Sequence, residues 1–203
     1  MLYPVPAVMI SCADEEGRSN IMTAAWAGTI CSDPVMVSVS IRPERYSYGI
    51  ISRTREFVIN LTTEQLAYAA DFCGVRSGRD IDKFKEMNLT PEKGEVVSCP
   101  VIKESPVNLE CRVAEVHEYG SHDMFVAEIV NVQVDEEMMD EKGRIRLDKA
   151  GLVAYNHGEY FGLKRQPLGK FGYSVMKAKT KKRIAAEKRQ QSRYRNNRKK
   201  NKK

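Results

Sequence analysis

The feature that most limits what this chain can fold into is a succession of short, β-prone apolar segments, each closed by a turn signal. Residues 5–13 read as a first strand, with Val8 and Ile10 on one face and Ala7 and Met9 on the other. A charged hairpin turn with Gly17 at its tip follows, and residues 20–27 form a second strand. Asp33-Pro34 marks the next turn, and residues 35–41 alternate Val and Ser until Arg42-Pro43 stops them. Further strands are expected at 57–61, 96–102, 107–116 and 124–134, the last two joined by a turn at 120–123, with a short one at 152–155. Between them, 44–52 reads as a helix opened by Pro43, 65–73 as a helix capped from Thr62-Thr63, and 81–87 as a helical turn. Residues 74–80 and 135–142 read as loops, and 160–173 are rich in Gly and aromatics without a clear period. Strands and helices do not alternate regularly, so a mainly β barrel with short appended helices is favoured over a doubly wound sheet.

The organising stretch is Asn20-Ile21-Met22-Thr23-Ala24-Ala25-Trp26, closed by the only tryptophan. Ile21, Met22, Thr23 and Trp26 suit a half-buried pleated strand. Packing gives no reason for Asn, Met and Thr together, so two readings stand: a core strand with a buried Trp, or a strand that presents polar groups to a ligand.

At 203 residues the chain supports one well-buried core of ordinary size. Its 42% apolar and 30% charged residues suit a soluble globular protein. No apolar run approaches the roughly 20 residues needed to span a bilayer, and the N-terminus lacks a basic segment, so neither membrane insertion nor a signal peptide is expected. Five cysteines at wide spacings without a Cys-x-x-Cys pair argue for reduced thiols, a cytoplasmic location and no zinc site, even with His117 and His122 nearby. The formal charge of +6 is unevenly spread. Residues 177–203 hold 14 Lys/Arg against Glu187 alone, leaving 19 basic and 26 acidic side chains for the rest of the chain. With Ile184 and three alanines as its main apolar content, that basic tail (176–203 by composition) is expected to be disordered from residue 189 onward. Three roles stay open for it: solubilisation, contact with the acidic body, or attraction to nucleic acid or another acidic partner.

Neither usual nucleotide fingerprint occurs, nor a Gly-x-Ser-x-Gly elbow. Polar residues do recur at turn and strand ends: Asn20, Thr23, Ser40, Arg42, Ser47, Ser77, Arg79, Lys83 and His122. Hydroxyls with one or two cations are what a phosphate ester needs, and Trp26 and Tyr155 offer walls for a flat ring. Surface loops also collect such residues, so this pattern alone leaves both readings open.

Six pieces in fixed order carry a resemblance. They are Asn20-x-Met22-Thr23-x-x-Trp26 running on to Asp33-Pro34, Ser40-Ile41-x-Pro43-x-Arg45, Phe57-Val58-x-Asn60-Leu61, Ser77-Gly78-Arg79-Asp80-x-Asp82-Lys83-Phe84, Leu109-Glu110-Cys111, and Gly120-Ser121-His122 before the 124–130 strand. Over residues 1 to about 175 the chain resembles the flavin reductase-like family, which includes flavoredoxin. The resemblance implies a split β-barrel domain over 1–175 that binds FMN, usually as a homodimer with sites near the subunit interface. By position it implies flavin contacts from Asn20, Met22, Thr23 and Trp26, a phosphate end at Ser47 and Lys83, and His122 and Tyr155 beside the ring. Ser40, Arg42 and Ser77 are further neighbours, and Lys83 is expected at the rim. No residue is assigned the chemistry itself, which the flavin supplies. The functions implied are an NAD(P)H-dependent flavin oxidoreductase, a flavoredoxin-like electron carrier serving a redox partner, or, apart from the resemblance, a nucleic-acid-binding protein acting through its tail.

Overall fold

A computed structural model describes residues 2–164, 166–180 and 183. The expectation of disorder from residue 189 onward lies outside the described residues. The chain divides into two units, Met1–Arg165 and Gln166–Lys203. Among its described residues the second unit contains a 3-10 turn at Tyr173–Val175. No described helix is long and apolar enough to cross a membrane.

The first unit is mainly β with three short helices. Its elements are β1 (Val5–Pro6), β2 (Val8–Ala13), β3 (Ser19–Ala24), β4 (Ala27–Ser32), β5 (Val35–Ile41), α1 (Tyr46–Thr54), β6 (Glu56–Leu61), α2 (Ala67–Val75), α3 (Lys83–Glu86), β7 (Pro91–Lys93), β8 (Pro100–Ile102), β9 (Val107–Tyr119), β10 (His122–Val134), β11 (Val153–Asn156) and β12 (Glu159–Gly162). Seven strands form an antiparallel sheet in the order β3-β2-β6-β9-β10-β5-β4. Alternating directions make the edge strands β3 and β4 run the same way, and only Ala25 and Trp26 separate them in the chain. One bent strand therefore leaves one edge of the sheet and joins the other, which forces the sheet to curl until those edges meet at a corner. The Ser40 N–H donates to the Trp26 carbonyl at 2.9 Å, extending the β4–β5 ladder through the bend.

The barrel interior is filled by Val8, Ile10, Met22, Val39, Phe57 and Phe125, with Ile50 and Ile51 of α1 packed into it. Each such burial stabilises by about 1.5–3 kcal/mol. On the opposite face of β2 and β3, Met9 and Ile21 meet Leu66, Ala70, Cys73 and Phe84. Strand β2 is thus buried on both faces, which explains its nearly continuous apolar run.

Several expected boundaries shift for identifiable reasons. The first predicted strand breaks at Ala7, because β1 pairs with β11 in a separate three-stranded sheet. Helix α1 begins at Tyr46 with Arg45 as its N-cap, so Pro43 lies outside it. Helix α2 begins at Ala67, after a turn in which Thr63 Oγ1 accepts the Leu66 N–H at 3.3 Å. The predicted strand at 96–102 survives only as β8. The Glu95, Val96 and Val97 N–H groups instead donate to the buried Glu110 carboxylate at 3.1, 2.7 and 2.9 Å. Burial alone would raise the Glu110 pKa, but bonds from Asn131, Val96, Val97 and Gln133 outweigh it and hold the group at about 2.

Candidate functional site

The closing strand sets the site. Beside its bend lies a cavity of about 330 Å³ lined by Met22, Thr23, Trp26, Ser40, Arg42, Arg45, His122, Tyr3 and Tyr155. A second cavity of about 340 Å³ is lined by Asn20, Ser47, Tyr46, Arg76, Ser77, Gly78, Arg79 and Lys83, together with Glu44. Met22, Arg42 and Arg45 line both, so the two cavities adjoin as the two lobes of one cleft region. All eleven residues that the resemblance places around the flavin line it.

The first lobe is aromatic. The Trp26 and His122 rings lie 4.4 Å apart between centroids, at 40°. Trp26 is 43% exposed, which overturns the reading of a buried core tryptophan: the bend lifts it out of the barrel and into the cleft wall. His122 opens β10 after the Gly120-Ser121 turn, and its Nδ1 lies 2.9 Å from Ser121 Oγ. Burial, then the Arg42 charge, lowers its pKa below the usual 6.5, so the imidazole is neutral at neutral pH. Tyr155, on β11, packs against Tyr160 at 5.4 Å and Tyr3 at 6.2 Å. Thr23 also borders this lobe, but its hydroxyl proton is committed to the Ala70 carbonyl, tying β3 to α2.

The second lobe is cationic. Five cations (Arg42, Arg45, Arg76, Arg79 and Lys83) face one carboxylate, Glu44. The sequence reading placed Lys83 at the rim; it is 4% exposed. Its Nζ donates to the Ile21 and Cys73 carbonyls at 2.7 and 2.8 Å, because α3 packs against β3 and the end of α2. An ammonium has three donors, so one remains for the cleft. Burial lowers the Lys83 pKa to about 8, the cost of holding a charge there without an anion. Arg45 is anchored alike, donating to the Gly74 carbonyl at 2.7 Å. Both cations thereby complement the negative end of α2.

Asn20 and Ser47 are also buried, and Asn20 Nδ2 donates to Ser47 Oγ at 2.8 Å. Ser47 lies in the first turn of α1, so the positive end of that helix opens toward the same lobe. Glycine at 78 is required: a Cβ there would collide with Asn20 Oδ1. Arg79 lies over the Tyr46 ring at 5.5 Å and donates to the Glu44 carbonyl at 3.3 Å. Ser77 Oγ accepts the Arg79 N–H at 3.2 Å.

Arg45, Tyr46, Arg76 and Gly78 were not chosen as site residues from the sequence, and Arg79 was noted in the polar pattern without being assigned a flavin contact. Arg45, Gly78 and Arg79 did stand inside the quoted motifs, whereas nothing in the chain distinguishes Arg76. Among the described residues no cluster of His, Cys, Asp or Glu is placed to hold a metal ion. Cys12, Cys73, Cys99 and Cys111 are buried free thiols, and burial pushes Cys12, Cys99 and Cys111 up to about 12 and Cys73 to about 11. They are inert core residues rather than nucleophiles.

A flat lobe with aromatic walls joined to a strongly cationic lobe accommodates a ligand with a planar ring at one end and an anion at the other. Comparison with known proteins agrees with that shape. The family model described as "Flavin reductase like domain" matches residues 1–164. The solved structure of flavoredoxin from Desulfovibrio vulgaris (Miyazaki F) superposes with a TM-score of 0.81 at 32% identity, covering 87% of this chain and 95% of that one. An FMN-binding protein from Thermus thermophilus, with bound 1-cyclohex-2-enone, gives 0.72 at 29% identity over 83% and 91%. An uncharacterised protein from Archaeoglobus fulgidus is 34% identical over 141 residues, 70% of this chain and 78% of its own length.

Proposed function

The chain belongs to the flavin reductase like family, and on that premise we propose that it is an FMN-binding flavoprotein that takes reducing equivalents from NAD(P)H. The observation that carries the reading is the two-lobed cleft, aromatic at one end and cationic at the other. FMN fits both lobes by chemistry. Trp26, His122, Tyr155 and Met22 would flank its ring. Lys83, Arg45, Ser47 and the first turn of α1 would hold its phosphate. Bound there, FMN supplies the redox-active ring.

The protein's own groups do the rest. The free Lys83 donor and the Arg45 guanidinium offset a phosphate dianion in a partly desolvated lobe, where charge-assisted hydrogen bonds are strong. Asn20 and Ser47, locked to each other, present polar atoms without having to be ordered on binding. The neutral His122 imidazole forms a wall that can donate or accept one hydrogen bond without adding charge. Trp26, exposed at the bend, excludes water from one side of the aromatic lobe.

A second reading is an FMN electron carrier with little nicotinamide turnover, supported by the 32% identity to flavoredoxin across nearly its whole length. In either reading a second copy covers the β4 edge, where Ile30 lies exposed, together with the exposed Val35 at the start of β5. Sedimentation equilibrium tests that dimer. Fluorescence titration with FMN, FAD and riboflavin tests the cofactor: FMN should bind tightest, and FAD binding tenfold tighter than FMN would defeat the assignment. Anaerobic stopped-flow reduction by NADH and NADPH then separates enzyme from carrier.

A further inference from the structure

The cationic lobe carries more charge than one phosphate can use. Its five cations differ sharply in how they are held. Lys83 and Arg45 are anchored deep by backbone carbonyls, next to Ser47 and the start of α1. Arg42, Arg76 and Arg79 are exposed at the mouth. Arg42 has a long 3.4 Å contact to Glu44 with both partners solvated, which neutralises little. Arg79 is held by the Tyr46 face beneath it and by the Glu44 carbonyl, and stays exposed. Arg76 has no side-chain hydrogen bond or ion pair among the described residues. With a dianion matched by the deep pair, the mouth keeps three guanidiniums against one carboxylate. Arginine suits this task, since its planar fork binds a phosphate through paired donors.

We propose that the mouth of the cationic lobe is a second phosphate subsite, formed by Arg76 and Arg79 with Arg42, that recognises the 2′-phosphate of a nicotinamide dinucleotide and so selects NADPH over NADH. The inference rests on the NAD(P)H-dependent reading above and names its co-substrate. Arg79, stacked on Tyr46, provides a rigid platform at which little side-chain freedom is lost on binding. Arg76, exposed and without a side-chain partner among the described residues, supplies the second guanidinium, and Arg42 keeps the potential positive across the boundary between the lobes.

The test is calorimetric titration of the FMN-saturated protein with 2′,5′-ADP and with 5′-AMP, which differ only in the 2′-phosphate. The expected result is 2′,5′-ADP binding at least about tenfold tighter, as a charge-assisted bidentate contact provides. In the Arg76→Ala/Arg79→Ala double variant the two ligands should bind within about threefold of each other, while Arg76→Lys/Arg79→Lys recovers part of the preference. The kcat/KM ratio of NADPH to NADH should fall in parallel. Equal binding of the two probes by the wild-type protein overturns the proposal, as does a preference that survives in the double alanine variant. Should FMN fail to bind, the same titration on the protein alone decides the subsite, and the flavin titration separately records that the broader reading has failed.

Discussion

The two lobes of the cleft are built by opposite means. The aromatic lobe is made of strand ends and a bend, and its walls touch one another through rings: Trp26 on His122, Tyr155 on Tyr160 and Tyr3. The cationic lobe is made where α1, α2 and α3 approach β3, and its deep polar groups, Asn20, Ser47, Arg45 and Lys83, are locked by hydrogen bonds to the backbone or to each other. Aromatic walls are cheap to expose and tolerate change. Buried cations and amides are held in place by costs that fall on the whole structure when a partner is lost. A ligand's ring should therefore be gripped adjustably and its anion rigidly.

The harshest way to break the rigid lobe is Gly78→Ala. The new Cβ would collide with Asn20 Oδ1 and crowd Tyr46 at 3.0 Å, pushing Asn20 off Ser47. Overpacking of this kind costs about 1–3 kcal/mol, so thermal unfolding should come earlier and FMN affinity should drop by one to two decades. Gly28→Ala, with open space around its Cβ, should do neither.

Lys83→Met removes the deep charge and is expected to weaken FMN binding by roughly 1.5–3 kcal/mol while leaving riboflavin nearly untouched. The pH dependence sharpens this. With a folded pKa near 8 against the ordinary 10.5, Lys83 binds fewer protons folded than unfolded between those values, so its contribution to stability rises with pH across that window. FMN affinity moves the other way, because a phosphate needs the charged form: it should fall as pH passes about 8, with riboflavin flat. Urea midpoints and flavin titrations at intervals from neutral to alkaline pH, for wild type and Lys83→Met, show whether both trends vanish together in the variant.

Trp26→Ala tests the adjustable lobe. Losing the ring beside His122 should cost about 0.5–1.5 kcal/mol for FMN and riboflavin alike, with an unchanged melting temperature. A loss confined to FMN would put the ring in the wrong lobe. The smallest effect on either lobe is expected from deleting residues 177–203. FMN and riboflavin affinities should stay as they are, whereas salt-sensitive retention on heparin, from 14 cations and one acid, should disappear.

Strand identity was legible where alternation and turn residues agreed, as in Val35–Ile41 and the hairpin of β9 and β10. It failed where a side chain captured the backbone: Val96 and Val97 look like strand residues, but the distant Glu110 takes their N–H groups. Strand β4 was missed because Gly28-Thr29-Ile30-Cys31-Ser32 has no apolar period, and its pairing comes from β5. By itself the sequence determined the local periods, the turns, the split of charge between body and tail, and the chemical types gathered in the motifs. Only the tertiary structure decided that β3 and β4 are one strand closing a sheet, because closure depends on pairing across the whole chain. It alone decided that Lys83 is buried and Trp26 is not. A lysine and a tryptophan carry the same local preferences wherever they stand, and what surrounds them is set by helices and strands far away in sequence.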